Sequence, residues 1–461
     1  MKTNHIATPV TLGSAWRERT TWMLFVAAFL GTCAVALIVQ LVLLPHFLPQ
    51  LHAGHGMLVG GDSAGMNLTA VDLAARIQKE GWSAWELRPA GNAPTGIAAA
   101  LYVFVTPEPY MLVPLNALVH AAGGLTIYLM AYLVCANRLA SVAAAIPFLV
   151  FPSAASWYAQ IHKDGFFALG MLLCALGWMQ AFRRDFWAGA RPAYTALALP
   201  LVLGLFLLWL VRPHIMILMQ AVFIVVSVSG LLLAVFWWRS GVLPARRIGL
   251  AAAVFVMVPL LLVLVKPSDY RVESWKGDVV ARETVMPYMP GHCVLERGVN
   301  ARADKLASTV AAMRDFYISG KSYQNAKSNM DTDFVPGTVC NLVGYLPRAL
   351  QIGFLAPFPA QWMADGSIAA STMMRRVISI ETLAVYAGLL LLPFALWAYR
   401  RKSEFWFVLG FLTLLNMIHV YLVPNFGTLH RMRYGFLTAV VGLAIAGAVD
   451  WVFARRKARL G

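Results

Sequence analysis

Residues 22–44 read WMLFVAAFLGTCAVALIVQLVLL, and Pro45 and Pro49 follow at once. At about 1.5 Å of rise per residue, such a run covers the roughly 30 Å hydrocarbon core of a bilayer. The prolines end it, and the first large polar stretch begins, running to about Pro94. Its first acid is Asp62, carried on the glycine-flexed turn Gly60-Gly61-Asp62-Ser63. Beyond the turn, Met66, Ala70, Leu73 and Ile77 share one helical face, while Asn67, Asp72, Arg76 and Lys79 fall elsewhere. By pattern, Asp62 or Ser63 is an N-cap for that helix, and this is the better supported reading. For an enzyme working at the outer membrane face, Asp62 is also the first candidate for a general base.

The 461 residues are 60% hydrophobic and 13% charged, with a mean hydropathy of +0.67. This composition excludes a soluble globule and describes an all-α polytopic membrane protein. Apolar runs of spanning length recur at 22–44, 110–135, 139–158, 165–182, 193–211, 215–238, 248–265, 378–397, 405–423 and 434–453. That predicts about ten transmembrane helices. The first is too long for a signal-peptide core and no small-residue cleavage site follows it, so it is expected to stay as an anchor.

The +16 net charge is a topology signal. Lys2, Arg17, Arg19 and Arg138 fall on one side of the membrane by this count of spans. So do Arg183, Arg184, Arg191, Arg239, Arg246 and Arg247. Arg400, Arg401, Lys402, Arg455, Arg456, Lys457 and Arg459 complete that side, against only Glu18, Asp185 and Glu404. The remaining charges nearly balance. Positive loops face the cytoplasm, which puts both termini there and gives nucleic-acid binding no support. Residues 1–21 then form the cytoplasmic N-terminus, 22–265 a membrane domain, 266–377 an outer loop domain, 378–453 the last helices and 454–461 a basic tail. Within the membrane domain, outer loop 45–109 carries the acidic turn. The apolar segments 95–105 and 342–362 are too short or too proline-broken to cross, and are read as interfacial pieces at the outer surface.

Cys33, Cys135 and Cys174 fall within spans, whereas Cys293 and Cys340 share the second outer loop. A Cys293–Cys340 disulfide is permitted there, with two free thiols as the alternative. No P-loop, zinc spacing, nucleophile elbow or dinucleotide fingerprint occurs. Asp331-Thr332-Asp333 has the form of a metal-binding pair but reads as a solvated turn. The strongly polar side chains noted within spans are Gln220, Asn416 and His419.

Charge instead gathers at outer helix ends. His162-Lys163-Asp164 joins two spans, Arg212 and His214 flank Pro213, and His430, Arg431 and Arg433 sit in the connection 424–433. Singly, such groups snorkel or cap. Together, Lys163, Arg212, His214, Arg431 and Arg433 are candidates to surround one lipid phosphate.

Several short motifs are similar to one family. These are Gly61-Asp62-Ser63, Gly81-Trp82, Gly91-Asn92-Ala93-Pro94-Thr95-Gly96 and Asn116 in Pro114-Leu115-Asn116-Ala117-Leu118. Lys163-Asp164, Arg212-Pro213-His214 and Phe354-Leu355-Ala356-Pro357-Phe358-Pro359 add to them, as does Asn425-Phe426-Gly427-Thr428-Leu429-His430-Arg431. With one span followed by a long outer loop bearing an early Asp, the chain resembles the GT-C integral membrane glycosyltransferases of bacterial cell-surface polysaccharide assembly. The resemblance implies transfer of a sugar from a polyprenyl-phosphate-linked donor to a lipid or glycan acceptor at the outer face of the bacterial inner membrane. Asp62 would be the base, with Glu86 and Asp164 as weaker candidates. Many members have an acidic pair where this chain has Asp62-Ser63, so the resemblance does not decide whether a divalent cation is needed. A surface-polysaccharide polymerase or ligase, a lipid-linked glycan flippase or transporter, and a structural assembly partner are the competing readings.

The topology is open to a direct check. A cysteine introduced near Lys305 is expected to react with a membrane-impermeant thiol reagent from the outer side only; labelling solely from the cytoplasmic side would reverse the orientation.

Overall fold

Hydrocarbon offers no water to backbone N–H and C=O groups, so a crossing chain must pair them within its own segment, and helices do so. The computed structural model describes residues 10–188, 193–264, 301–319, 326–334 and 336–460. Among these residues no strand forms, and nine helices are long and apolar enough to cross a membrane. They are Arg19–Phe47, Pro109–Cys135, Asp164–Ala181, Tyr194–Val211, Ile215–Arg239, Ala245–Leu264, Ala369–Ala398, Ser403–Leu422 and Phe426–Arg456. A bent pair, Arg138–Val150 with Pro152–Tyr158, makes a tenth if taken as one span. The protein is an all-α, multi-pass membrane protein. Leu30 and Ile38 on the first span, and Leu232 and Phe236 on Ile215–Arg239, point outward from the bundle, as lipid-facing side chains do. Inside, Trp178 packs between Phe223 and Phe255 of two later spans, with ring centroids 5.2 and 5.7 Å away.

Four expectations are corrected by the structure. The span expected at 139–158 is not one rod, because it bends by 51° at Phe151-Pro152. Pro152 lacks an N–H and pushes Phe151 to extended dihedrals (φ −65°, ψ 121°), which ends the first half-helix. The last helix starts at Phe426, so 424–433 is not a connecting loop. His430, Arg431 and Arg433 therefore leave successive faces of one helix and point three ways. Asp62 occupies the N-cap of helix Ser63–Glu80, yet its side chain makes no capping hydrogen bond. Asn67, expected off the buried face of that helix, is buried and accepts a hydrogen bond from the Tyr102 hydroxyl at 2.8 Å.

The two segments read as interfacial contain helices Ala93–Tyr102 and Val339–Leu355, neither among the spanning set. Much of the segment expected to form the second outer loop, including Cys293, lies outside the described residues. Cys340 is disulfide-bonded, and Cys33, Cys135 and Cys174 are free. Asp331 is not solvated. Its carboxylate accepts from Arg348 Nε (2.9 Å) and Nη2 (3.0 Å) and from the Tyr345 hydroxyl (2.8 Å). Burial works against that charge, but these donors outweigh it and hold the carboxyl below its ordinary range. The same segment is stitched to the start of the last helix. Met330 N donates to Pro424 O (2.8 Å), Phe426 N to Ser328 O (2.7 Å), and Asn425 Nδ2 to Ser328 Oγ (2.9 Å) and Asn329 Oδ1 (2.8 Å).

Candidate functional site

Asp164 opens the span Asp164–Ala181, where the unpaired N–H groups of the first turn favour a negative charge. Its side chain is only 2% exposed. A buried carboxylate needs partners, and two guanidiniums from remote helices supply them. Arg212 Nη2 donates to Oδ1 at 2.6 Å, and Arg431 Nε approaches Oδ2 at 3.7 Å. Arg212 can turn inward because Pro213 ends the preceding helix and leaves Arg212 non-helical (φ −147°, ψ 69°). Its guanidinium also lies over the Phe167 ring, 4.9 Å from the centroid.

His162 completes the cluster. Nδ1 lies 3.2 Å from Asp164 Oδ2, and Nε2 lies 2.9 Å from Arg431 Nη1. A guanidinium only donates, so Nε2 accepts, while Nδ1 faces both the Asp164 carboxylate and the Asp164 backbone N–H, which lies 3.3 Å away. Burial pushes the imidazole pKa down to about 4, against the pull of Asp164 and with a push from Arg431, so His162 is neutral near pH 7. Lys163, half-buried beside it, donates to Asn92 Oδ1 at 3.4 Å.

The acidic turn comes close. Asp62 is near enough to His162 for its charge to favour the imidazolium. The Asp62 side chain itself is exposed, and no hydrogen bond or ion pair among the described residues engages it. Gly60 has φ +76°, and a Cβ there would sit 2.2 Å from Ile368 Cδ1. The turn thus rests directly on Ile368 at the start of the helix Ala369–Ala398, and its left-handed backbone at Gly60 favours glycine.

The structure therefore gathers Asp62, His162, Lys163, Asp164, Arg212 and Arg431 from four separate parts of the chain. It does not gather all the candidates. Arg433 is 1% exposed and spends its guanidinium on the carbonyls of Ile352, Gly353 and Ala356, which end helix Val339–Leu355. It is a structural cap and not a free phosphate ligand. Asp164, a candidate base, is sequestered by its two arginines. Glu86 is exposed on the segment whose carbonyls pack against Gly96. His214 is half-buried at the N-cap of Ile215–Arg239, beside Arg212 in sequence. Among the described residues no three His, Cys, Asp or Glu side chains gather as a metal set.

Two residues that support this region escaped the sequence reading. Arg88 stacks over Trp209 at 4.1 Å and donates to Trp209 O and Leu210 O, which fixes the helix end that presents Arg212. Glu381, inside the span Ala369–Ala398, accepts from Ser153 N at 2.5 Å and so caps the second half of the broken span. Its Oε2 lies 3.7 Å from His430 Nε2. An acid within an apolar run was the available signal. No family model, curated protein or solved structure matches the chain.

Because His162 is neutral when folded and takes up a proton near its ordinary pKa of 6.5 when unfolded, its titration carries no stability penalty above pH 6.5. Stability is then lost progressively as the pH falls from 6.5 towards 4, where the unfolded chain binds the extra proton. Thermal unfolding in detergent should show this slope, shallower in His162→Gln. Equal slopes for the two proteins would contradict the assignment.

Proposed function

We propose that the protein is a membrane glycosyltransferase that takes a sugar from a polyprenyl-phosphate-linked donor and delivers it to a lipid or glycan acceptor at the outer face of the inner membrane, with both termini cytoplasmic. The observation that carries this reading is the charge arrangement. Arg212 and Arg431, from different helices, are held on one buried carboxylate beside Lys163, while the unengaged Asp62 carboxylate stands on the adjacent turn. Asp164 offsets one of the two guanidiniums it holds, and the pair leaves positive charge for an anion.

The chemistry matches. An acceptor hydroxyl oxygen attacks the anomeric carbon, and the bond from that carbon to the phosphate oxygen breaks. Asp62 takes the hydroxyl proton, a general-base contribution of about 10²–10⁴-fold. The carrier phosphate leaves with one more negative charge than it had as a diester. Cations already fixed by Asp164 and by stacking on Phe167 stabilise that charge without rearranging at the moment of reaction. A lipid-linked donor also suits a site at the membrane surface, where its isoprenoid tail stays in the bilayer. The broken span and the buried Glu381 are the features that favour a flippase as second reading. That reading gives Asp62 no proton to take.

The two roles separate by mutation. Purified protein in nanodiscs should transfer sugar from a polyprenyl-phosphate donor. Asp62→Asn should lower turnover about 10²–10⁴-fold with donor binding kept. Arg212→Ala and Arg431→Ala should weaken both binding and turnover, because the phosphate is charged before and after transfer. Near-normal turnover by well-folded Asp62→Asn would remove Asp62 from the mechanism.

A further inference from the structure

The acidic turn and the arginine cluster belong to different parts of the chain, so something must fix the offset between them. Apolar contact alone holds one side: Leu51 and Leu58 pack with Leu44 and Ala370. Two polar ties hold the turn: an exposed one, in which His55 Nδ1 lies 3.0 Å from Glu108 Oε2, and a buried one from Gln160, which is 1% exposed and lies two residues before His162. Its Oε1 accepts from Leu58 N at 3.1 Å, and its Nε2 donates to Gly56 O at 3.1 Å. Both halves of one amide are thus spent on the backbone of the tight turn that leads into Asp62.

The loop bearing Gln160 is itself immobilised by two further buried or half-buried amides. Asn116 Nδ2, from the span Pro109–Cys135, donates to Gln160 O at 2.8 Å. Gln40 Nε2, from the first span, donates to Ala159 O at 2.6 Å. The turn presses straight onto Gln40: Gly56 has φ +70°, and a Cβ there would meet Gln40 Cβ and O at 2.7 Å. Two spans therefore fix the loop, the loop fixes Gln160, and Gln160 fixes the turn.

We propose that Gln160 is a positioning residue that sets the placement of Asp62 relative to His162, Asp164 and Arg431, and so aligns base with phosphate site. The proposal deepens the glycosyltransferase reading and rests on it for its catalytic consequence. Gln suits the task because the turn presents one donor and one acceptor at once. Glu keeps an acceptor for Leu58 N but opposes Gly56 O with a second acceptor, and Met satisfies neither. The mechanical consequence is steep, since a displacement of about 1 Å at a reacting group costs on the order of 10²-fold in rate.

Gln160→Met and Gln160→Glu, in full-length protein in nanodiscs, carry the test through three readouts. Amide hydrogen exchange across 56–62 reports the clamp, polyprenyl-phosphate binding reports the cation site, and sugar transfer reports alignment. Gln160→Met should speed exchange in that segment, keep binding within about threefold, and lower turnover about 10–10²-fold. Gln160→Glu should fall between Gln160→Met and the wild type. Unchanged exchange in Gln160→Met, or faster exchange with full turnover, overturns the proposal. A wild-type protein that neither binds nor transfers would instead sink the glycosyltransferase reading, while the exchange measurement still decides whether Gln160 holds the turn.

Discussion

A carboxylate taken out of water must be paid for, and one end of the helix bundle is arranged around that requirement at Asp164. Breaking such a buried pair from one side costs about 3–5 kcal/mol, because the partner charge is left without compensation. Arg212 and Arg431 are therefore bound to one point in the bundle, although they belong to helices far apart in sequence. His162 bridges Asp164 and Arg431 in its neutral form. The cluster works as a joint: the end of Tyr194–Val211 and the start of Phe426–Arg456 meet at the first turn of Asp164–Ala181.

Around that joint the supporting contacts are polar and specific. Arg433 ends helix Val339–Leu355 by donating to its last carbonyls. Glu381 caps the second half of the broken span, and Ser153 and His430 are drawn to it. Glu381, His430, Arg433 and Tyr434 also line a small internal cavity, with water-accessible space of about 10 Å³, enough for roughly one water. These ties fix residues 430 and 433 on either side of Arg431, so the face that Arg431 presents is decided by neighbours pointing elsewhere.

Much of the fold was legible in the sequence because the membrane imposes it. Runs such as 22–44 and 215–238 must be helices wherever they cross, and the observed spans start and stop within a few residues of those runs. The errors fall where a local rule overrides the run. Pro152 breaks a segment that hydropathy alone reads as continuous. The last helix begins before its apolar stretch does, since Asn425 and the 326–334 segment satisfy its first turn. Side-chain direction was the larger loss. His430, Arg431 and Arg433 look equivalent in a string of basic residues, yet helical geometry sends one to Ser153 beside Glu381, one to Asp164 and one to backbone carbonyls. Gln160 gave no signal at all, because nothing in a sequence shows which backbone an amide will clamp.

The claim that joins these parts is that the cluster on Asp164 is an anion site facing Asp62. A cryo-EM structure with a bound polyprenyl phosphate tests it most directly. The account predicts phosphate density within hydrogen-bonding distance of Arg431, Arg212 or Lys163, with the Asp62 carboxylate on the side from which an acceptor would approach. Phosphate density elsewhere, with Arg212 and Arg431 still closed on Asp164 and Asp62 facing empty solvent, would contradict it.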